Sequence, residues 1–378
     1  MDFSWTEAQE ALYKQILDFA RDTLNRTGQE HTLFSKDHWS LTGREGLPGL
    51  SIPPEYGGRG FKSLDTAHLV EAFGRGCHDM GLVFSVAAHL FACAMPIVEF
   101  GSPEIKARVL PNLAQAEWVG ANAITEPEAG SDVFALKTTA VRDGSDYLLS
   151  GVKSYVTNGP IADLFVVYAT TNPANGYLGI SGFIVEKDRP GLRLGQQISK
   201  MGVTSTPACP VYLEECRVPA TNRLGAEGQG ALIFKSSMQW ERACLFAAYL
   251  GMLDRQLEQT VAYARTRRQF GKSIGKNQAI SHRVADMKLR LEAARLLLYR
   301  ACWLFDQGKF SILDISLAKL AVSEAAVQSS LDAIQIHGST GFNTEAGLER
   351  MLRDAIPSRI FSGTSEMQRD IIARELGL

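Results

Sequence analysis

The chain has 378 residues and a mass of 41.3 kDa, more than one small core accommodates, so two or three domains are expected. Lys+Arg at 39 against Asp+Glu at 41 gives a formal charge of -2, which lacks the basic surplus that phosphate neutralisation requires and excludes nucleic acid as a partner class. The six cysteines form no C-x-x-C pair and are too sparse for a disulfide scaffold, which points to free thiols in a reducing cytoplasm.

In chain order, Met1-Asp2-Phe3 has no basic n-region, so neither a signal nor a transit peptide is expected. Thr6 and Gln9 form a capping-box pair, and Leu12, Ile16, Phe19 and Ala20 follow at helical spacing, predicting an amphipathic first helix. Helical patterns continue to about Gln115, broken at Pro53-Pro54-Glu55-Tyr56-Gly57-Gly58. The apolar run from Gly81 to Pro96 is shorter than a membrane span and reads as a buried helix, so no membrane is expected.

From about Val119 to Ala226 short apolar runs such as Leu164-Phe165-Val166-Val167-Tyr168 and Phe183-Ile184-Val185 alternate with Gly, Asn, Asp and Pro, predicting a β domain. Beyond Gly230 helical signal returns, with Lys276–Gln307 and Lys309–His337 each free of Gly and Pro. The expected division is a helical domain at 1–117, a β domain at 118–226 and a helical bundle at 227–378. No Gly-x-Gly-x-x-Gly turn joins a strand to a helix, which argues against a Rossmann unit. No metal-ligand spacing occurs, and no metal is expected.

Six motifs stand in a fixed order over nearly the whole length. They are Pro54-Glu55-Tyr56-Gly57-Gly58, Thr125-Glu126-Pro127-Glu128-Ala129-Gly130-Ser131-Asp132, Gly151-Val152-Lys153-Ser154-Tyr155-Val156-Thr157-Asn158-Gly159, Arg267-Arg268-Gln269-Phe270-Gly271-Lys272, Gln335-Ile336-His337-Gly338-Ser339-Thr340-Gly341-Phe342 and Gly363-Thr364-Ser365-Glu366-Met367-Gln368-Arg369. Together they resemble the acyl-CoA dehydrogenase family. The resemblance implies an α+β fold with an N-terminal helical domain, a central β-barrel domain and a C-terminal four-helix bundle, and FAD as cofactor.

It also implies site residues. Ile124, Thr125, Gly130, Ser131, Tyr155 and Thr157 would border the isoalloxazine ring and pyrophosphate, where small hydroxyl residues and Gly permit close backbone approach. Arg267 would reach the FAD of a neighbouring subunit, although a basic cluster at a helix end is also an ordinary solvated face. Phe270, Gln278, Gln335, Gly338, Ser339, Thr364 and Glu366 match positions around the adenosine and pyrophosphate. A homo-oligomer, dimer or tetramer, is therefore expected.

Abstraction of a proton α to a thioester carbonyl calls for a carboxylate with a pKa near the working pH. Many family members carry this base just before the Gly-Thr of the last motif, where this sequence has Ser362. A minority place it on the first long helix of the C-terminal part, where Glu241 stands. Periodicity points there independently, because Phe234, Met238, Glu241, Leu245, Ala248 and Met252 form one helical stripe that Glu241 alone interrupts. A carboxylate in that stripe is paired with a nearby arginine, protonated or functional; with Ser362 at the other position, Glu241 is assigned as the catalytic base. Arg242 is its electrostatic or structural neighbour, and Ser131, Arg242, Ser362 and Gly363 are assigned to substrate binding; the resemblance implies the Ser362 backbone N–H and the FAD ribityl hydroxyl as donors to the thioester oxygen.

The context Trp240-Glu241-Arg242 resembles a branch acting on prolyl or other aminoacyl groups tethered to carrier proteins in natural-product pathways such as antibiotic biosynthesis. The expected reaction is FAD-dependent α,β-dehydrogenation of an acyl thioester, on a carrier protein in preference to CoA, with an electron-transfer flavoprotein or oxygen as acceptor. Three alternatives remain open at this point: an ordinary acyl-CoA dehydrogenase of fatty or amino acid degradation, a flavin-dependent hydroxylase of the same fold, and a flavin-binding protein without catalysis.

Overall fold

The computed structural model describes residues 4–25, 33–309 and 311–378. Met1-Asp2-Phe3, on which the expectation about a leader rests, lies outside them, as does Phe310 of the Lys309–His337 stretch.

The N-terminal part is helical: α1 (Glu7–Phe19), α2 (Lys36–Arg44), α3 (Ser63–Gly76), α4 (Met80–Ala87), α5 (Met95–Phe100) and α6 (Pro103–Ala114). The Thr6–Gln9 capping box opens α1 as expected, each side chain serving the other's backbone N–H. The Pro53-Pro54 break is a single 3-10 turn, Pro54–Tyr56. The apolar run continues from α4 through a π-helical turn, Ala88–Ala94, into α5. By length and composition this helix, Met80–Phe100, passes as a membrane span, but it is buried inside the fold. His89 is held there by both ring nitrogens, Nε2 at 3.1 Å from the Leu113 carbonyl oxygen and Nδ1 accepting from Gly120 N–H at 2.8 Å. Burial pushes its pKa down to about 4, so it is a neutral structural group.

Eight strands follow: β1 (Gly120–Ala123), β2 (Thr139–Asp143), β3 (Asp146–Thr157), β4 (Leu164–Thr170), β5 (Ile180–Glu186), β6 (Leu192–Leu194), β7 (Ala208–Pro219) and β8 (Arg223–Leu224). The hydrogen-bonded order is β6-β7-β3-β2-β4-β5-β8, with β1 parallel to β4, and among the described residues no β6–β8 pair closes the ring, so the expected barrel is an open one. Alternation on β4 explains its continuous apolar run: Phe165, Val167 and Ala169 face the interior of the sheet, while Leu164, Val166 and Tyr168 join the helical core. Between the pairs Lys153↔Val211 and Val156↔Cys209 two residues of β3 oppose one of β7, and this bulge puts Tyr155 at φ 54°.

The C-terminal part contains α7 (Gly230–Trp240), a π-helical turn Glu241–Leu245, α8 (Ala247–Thr266), the short hairpin β9 (Arg268–Gln269) and β10 (Lys272–Ser273), α9 (Gln278–Asp306), α10 (Ile312–His337), α11 (Ser339–Phe342), α12 (Leu348–Ala355) and α13 (Ser365–Glu375). The expected helix start at Lys276 moves to Gln278, because Ile274–Lys276 forms a 3-10 turn. Helices α8, α9, α10 and α13 pack together, and α3 of the N-terminal part lies against α8, so both helical parts share one core.

Candidate active site

Glu241 opens the π-helical turn after α7, and its stripe is apolar and buried on either side, at Met238 and at Leu245, Ala248 and Met252. One extra residue in that turn re-aims the side chain relative to a regular helix. Glu241 is only 8% exposed and lines a cavity of about 460 Å³. Burial pushes its pKa up; the Ser362 hydroxyl, which donates to Oε1, and the nearby Arg242 and Lys319 cations pull in the opposite direction without cancelling the rise. The outcome is a carboxyl displaced from the ordinary acid range toward neutrality, in contact with open space. No salt bridge joins it to an arginine among the described residues, so the ion-pair reading of Glu241 is not what the geometry supports.

The loop that presents Ser362 is fixed from three sides. Arg242 Nε donates to the Ser362 carbonyl at 2.8 Å, and Gln368 Nε2 donates to the Gly363 carbonyl at 3.1 Å. On α10, Ser323 Oγ donates to the Ser358 carbonyl at 2.9 Å, and Glu324 Oε1 accepts from Ser365 Oγ at 2.8 Å. Ser362 lies in the left-handed region at φ 56° and Gly363 at φ 86°. A Cβ at Gly363 would come 2.8 Å from Gln368 Nε2 and 3.0 Å from Arg242 Nη2, so glycine is required there by both conformation and space. Thr364 then caps α13, its Oγ1 accepting from Met367 N–H at 3.2 Å.

Behind this loop is Lys319, fully buried on α10, its Nζ 5.4 Å from the centre of the Phe246 ring and without a hydrogen-bond partner among the described residues. Burial, aided by Arg242, pushes its pKa down to about 7. On the opposite wall the Thr125–Asp132 loop is stapled by a buried ion pair, Lys153 Nζ to Glu126 Oε1 at 2.7 Å, with Lys153 also donating to the Ile124 carbonyl at 3.2 Å. Burial raises the Glu126 carboxyl, but Lys153, Thr138 and the Lys137 N–H outweigh it and hold it below its ordinary value, while burial lowers Lys153 to about 8. Both shifts leave the pair charged at neutral pH.

The cavity brings together Ile124, Thr125, Gly130, Ser131, Tyr155, Thr157, Glu241, Arg242, Ser362, Gly363 and Thr364. It does not include Arg267, Phe270, Gln278, Gln335, Gly338, Ser339 or Glu366, which lie exposed at the end of α8, in the β9–β10 hairpin, at the start of α9, at the end of α10, at the start of α11 and at the start of α13. Sequence reasoning left out the inner wall, Phe84, Ala88 and Ala92 on α4 and its π turn together with Phe361, whose ring lies 4.7 Å from that of Phe84. Their i, i+4 spacing was visible, but it is the same pattern that an ordinary core helix produces. The buried Lys319 was also missed; its signal was a lone charge in the apolar run Leu317–Val322.

The chain belongs to the acyl-CoA dehydrogenase family. Models of its N-terminal, middle and C-terminal domains match residues 6–117, 121–216 and 228–377. The chain is 57% identical over 381 residues to an L-prolyl-[peptidyl-carrier protein] dehydrogenase of Pseudomonas fluorescens, covering all of both chains, and 45% identical to a protein of the same name from a Serratia species, covering 100% of this chain and 99% of that one. Among solved structures it is similar to the prolyl acyl carrier protein oxidase AnaB (TM-score 0.97, 46% identity, 99% and 100% coverage) and to PigA with FAD and proline (TM-score 0.98, 45% identity, full coverage of both).

Proposed function

We propose that this chain catalyses the FAD-dependent α,β-dehydrogenation of a prolyl or similar acyl thioester carried on a carrier protein. The observation that carries the reading is Glu241, a buried carboxyl with raised pKa facing a cavity in which the alternative base position is a serine. The residues fit a flavin. Among the described residues, Asn122 lines the cavity with a buried side-chain oxygen that has no partner, and a Cβ at Gly130 would meet no atom within 4 Å, which leaves room for a ligand's close approach. Ile124, Thr125, Gly130, Ser131, Tyr155, Thr157 and Thr364 would hold the ring and pyrophosphate. When bound, FAD supplies an acceptor for the hydride from the β carbon.

The chain's own part is proton chemistry and positioning. Glu241 takes the α-proton. Ser362 holds the carboxylate by its hydroxyl and offers its backbone N–H to the thioester oxygen as enolate character develops. Arg242 fixes the Ser362 carbonyl, and with it the plane of the Ser362–Gly363 peptide beside that amide. Loss of the α-proton and β-hydride leaves an α,β-unsaturated thioester, a pyrroline in the prolyl case.

Arg267 serves the FAD of a neighbouring copy in a dimer or tetramer, and Phe270, Gln278, Gln335, Gly338, Ser339 and Glu366 stand around the adenosine and pyrophosphate; the Phe270 ring, 97% exposed on its hairpin, supports a surface completed by another copy. Six buried free cysteines support a reducing cytoplasm, and the likeness to the two L-prolyl-[peptidyl-carrier protein] dehydrogenases is what supports a role in natural-product, including antibiotic, biosynthesis. Electrons pass on to an electron-transfer flavoprotein or oxygen. Glu241→Gln tests the assignment: turnover falls by at least about 10²-fold while FAD stays bound. Near-full turnover with intact flavin absorbance refutes it, and mass spectrometry of the product separates loss of hydrogen from gain of oxygen.

A further inference from the structure

A band of aromatic side chains leads from the cavity to the surface. Phe234 of α7 lines the cavity, Phe134 packs edge-on against it with centroids 6.1 Å apart, and Tyr177 lies 6.4 Å beyond Phe134. Val133, the residue before Phe134, also lines the cavity, so this band is continuous with its wall. At its outer end three large apolar residues are more than half exposed, Tyr177 at 52%, Leu178 at 58% and Leu232 at 54%. Leu232 and Lys235 are three apart on α7 and therefore share a face. The Lys235 ammonium sits 5.8 Å from the Phe134 ring and 5.7 Å from the Tyr177 ring, and no carboxylate pairs with it among the described residues.

Exposed apolar side chains grouped at the end of a band that reaches a cavity mark a place where another molecule is buried. A lone cation among them selects a partner with one compact negative group. A pantetheine arm on a carrier protein presents one phosphodiester at its point of attachment, with protein surface around it. Free CoA would instead set several phosphates over Leu178 and Leu232, against one lysine. Lys235 precedes Glu241 by six residues, roughly 9 Å of helix axis, a separation that a pantetheine arm bridges.

We propose that Tyr177, Leu178, Leu232 and Lys235 form the docking surface for the carrier protein, with Lys235 taking the phosphodiester of its arm and the apolar residues taking the carrier protein. This rests on the carrier-bound reading above.

The test uses the full-length FAD-loaded enzyme and the same prolyl group on three supports: the carrier protein, phosphopantetheine and pantetheine. Leu178→Glu with Leu232→Glu raises KM for the carrier thioester by about 10-fold or more, as loss of a central contact does, and leaves turnover of the pantetheine thioester unchanged. Lys235→Gln raises KM for the carrier and phosphopantetheine thioesters and spares the pantetheine thioester. Should the glutamates reduce FAD retention, Leu178→Ser with Leu232→Ser is read in their place. Unchanged KM on the carrier, equal loss on all three supports, or a change in native mass by light scattering, which would make the patch a contact between copies, overturns the docking surface. A native enzyme that oxidises CoA thioesters and ignores the carrier thioester overturns the carrier-bound reading itself.

Discussion

Removal of the Ser362 hydroxyl isolates the group that tunes the base. Its hydrogen bond goes to Glu241 Oε1, inside a site where burial already disfavours the charged carboxylate. A hydrogen bond to an ionised group contributes about 1.5–3 kcal/mol, and about 1.4 kcal/mol corresponds to one pKa unit. Ser362→Ala therefore raises the pKa of Glu241 by about one to two units. Because the base works ionised, the acidic limb of kcat/KM moves to higher pH by that amount, while the plateau above it is retained. The assay is anaerobic flavin bleaching by the thioester substrate across a pH series, in which kcat/KM reports ionisations of the free enzyme. Ser362→Gly is the companion variant. It loses the same hydroxyl but relieves the left-handed backbone at φ 56°, so it shifts the limb equally while gaining about 1 kcal/mol of stability relative to the alanine. A limb that stays in place, or moves to lower pH, in both variants refutes the claim that this hydroxyl stabilises the ionised base.

Three further outcomes follow from the same geometry. Gly363→Ala forces a Cβ against Gln368 and Arg242 at positive φ and lowers stability by about 1–3 kcal/mol, read as a fall in Tm. Glu126→Gln leaves Lys153 buried beside a neutral partner and costs about 3–5 kcal/mol, with weaker FAD retention because the Thr125–Asp132 loop loses its staple; unchanged FAD affinity would contradict that role. Lys319→Met removes a buried cation that has no hydrogen-bond partner among the described residues. The folded pKa of about 7 lies below the ordinary lysine value, so the cost of the native lysine is full below pH 7 and fades as pH rises toward that value. The variant is accordingly more stable than the native enzyme in denaturant titrations at pH 6, and the gap narrows by pH 9.

Several parts of this enzyme follow from local sequence rules alone. The capping box at Thr6, the short apolar strands between turn residues and the uninterrupted α9 and α10 are consequences of neighbour-to-neighbour chemistry, which the linear order carries in full. The ordered motifs gave the family, and the lone carboxylate in an apolar stripe marked Glu241, because a helix period brings its neighbours onto one face. Its electrostatic setting was not legible in the same way. Ser362 stands 121 positions from Glu241 and meets it only when α13 and the loop before it pack across α10, so no spacing rule links the two. The same holds for Lys319, whose charge is silent in the sequence and becomes costly only when α10 is buried. Phe84 and Phe361 read as core until the fold opens a cavity between them and the β domain. Sequence alone determined which elements form and which carboxylate is anomalous, since those depend on local periodicity. Tertiary structure decided what surrounds that carboxylate, since burial, hydrogen bonds and charge act through space and not along the chain.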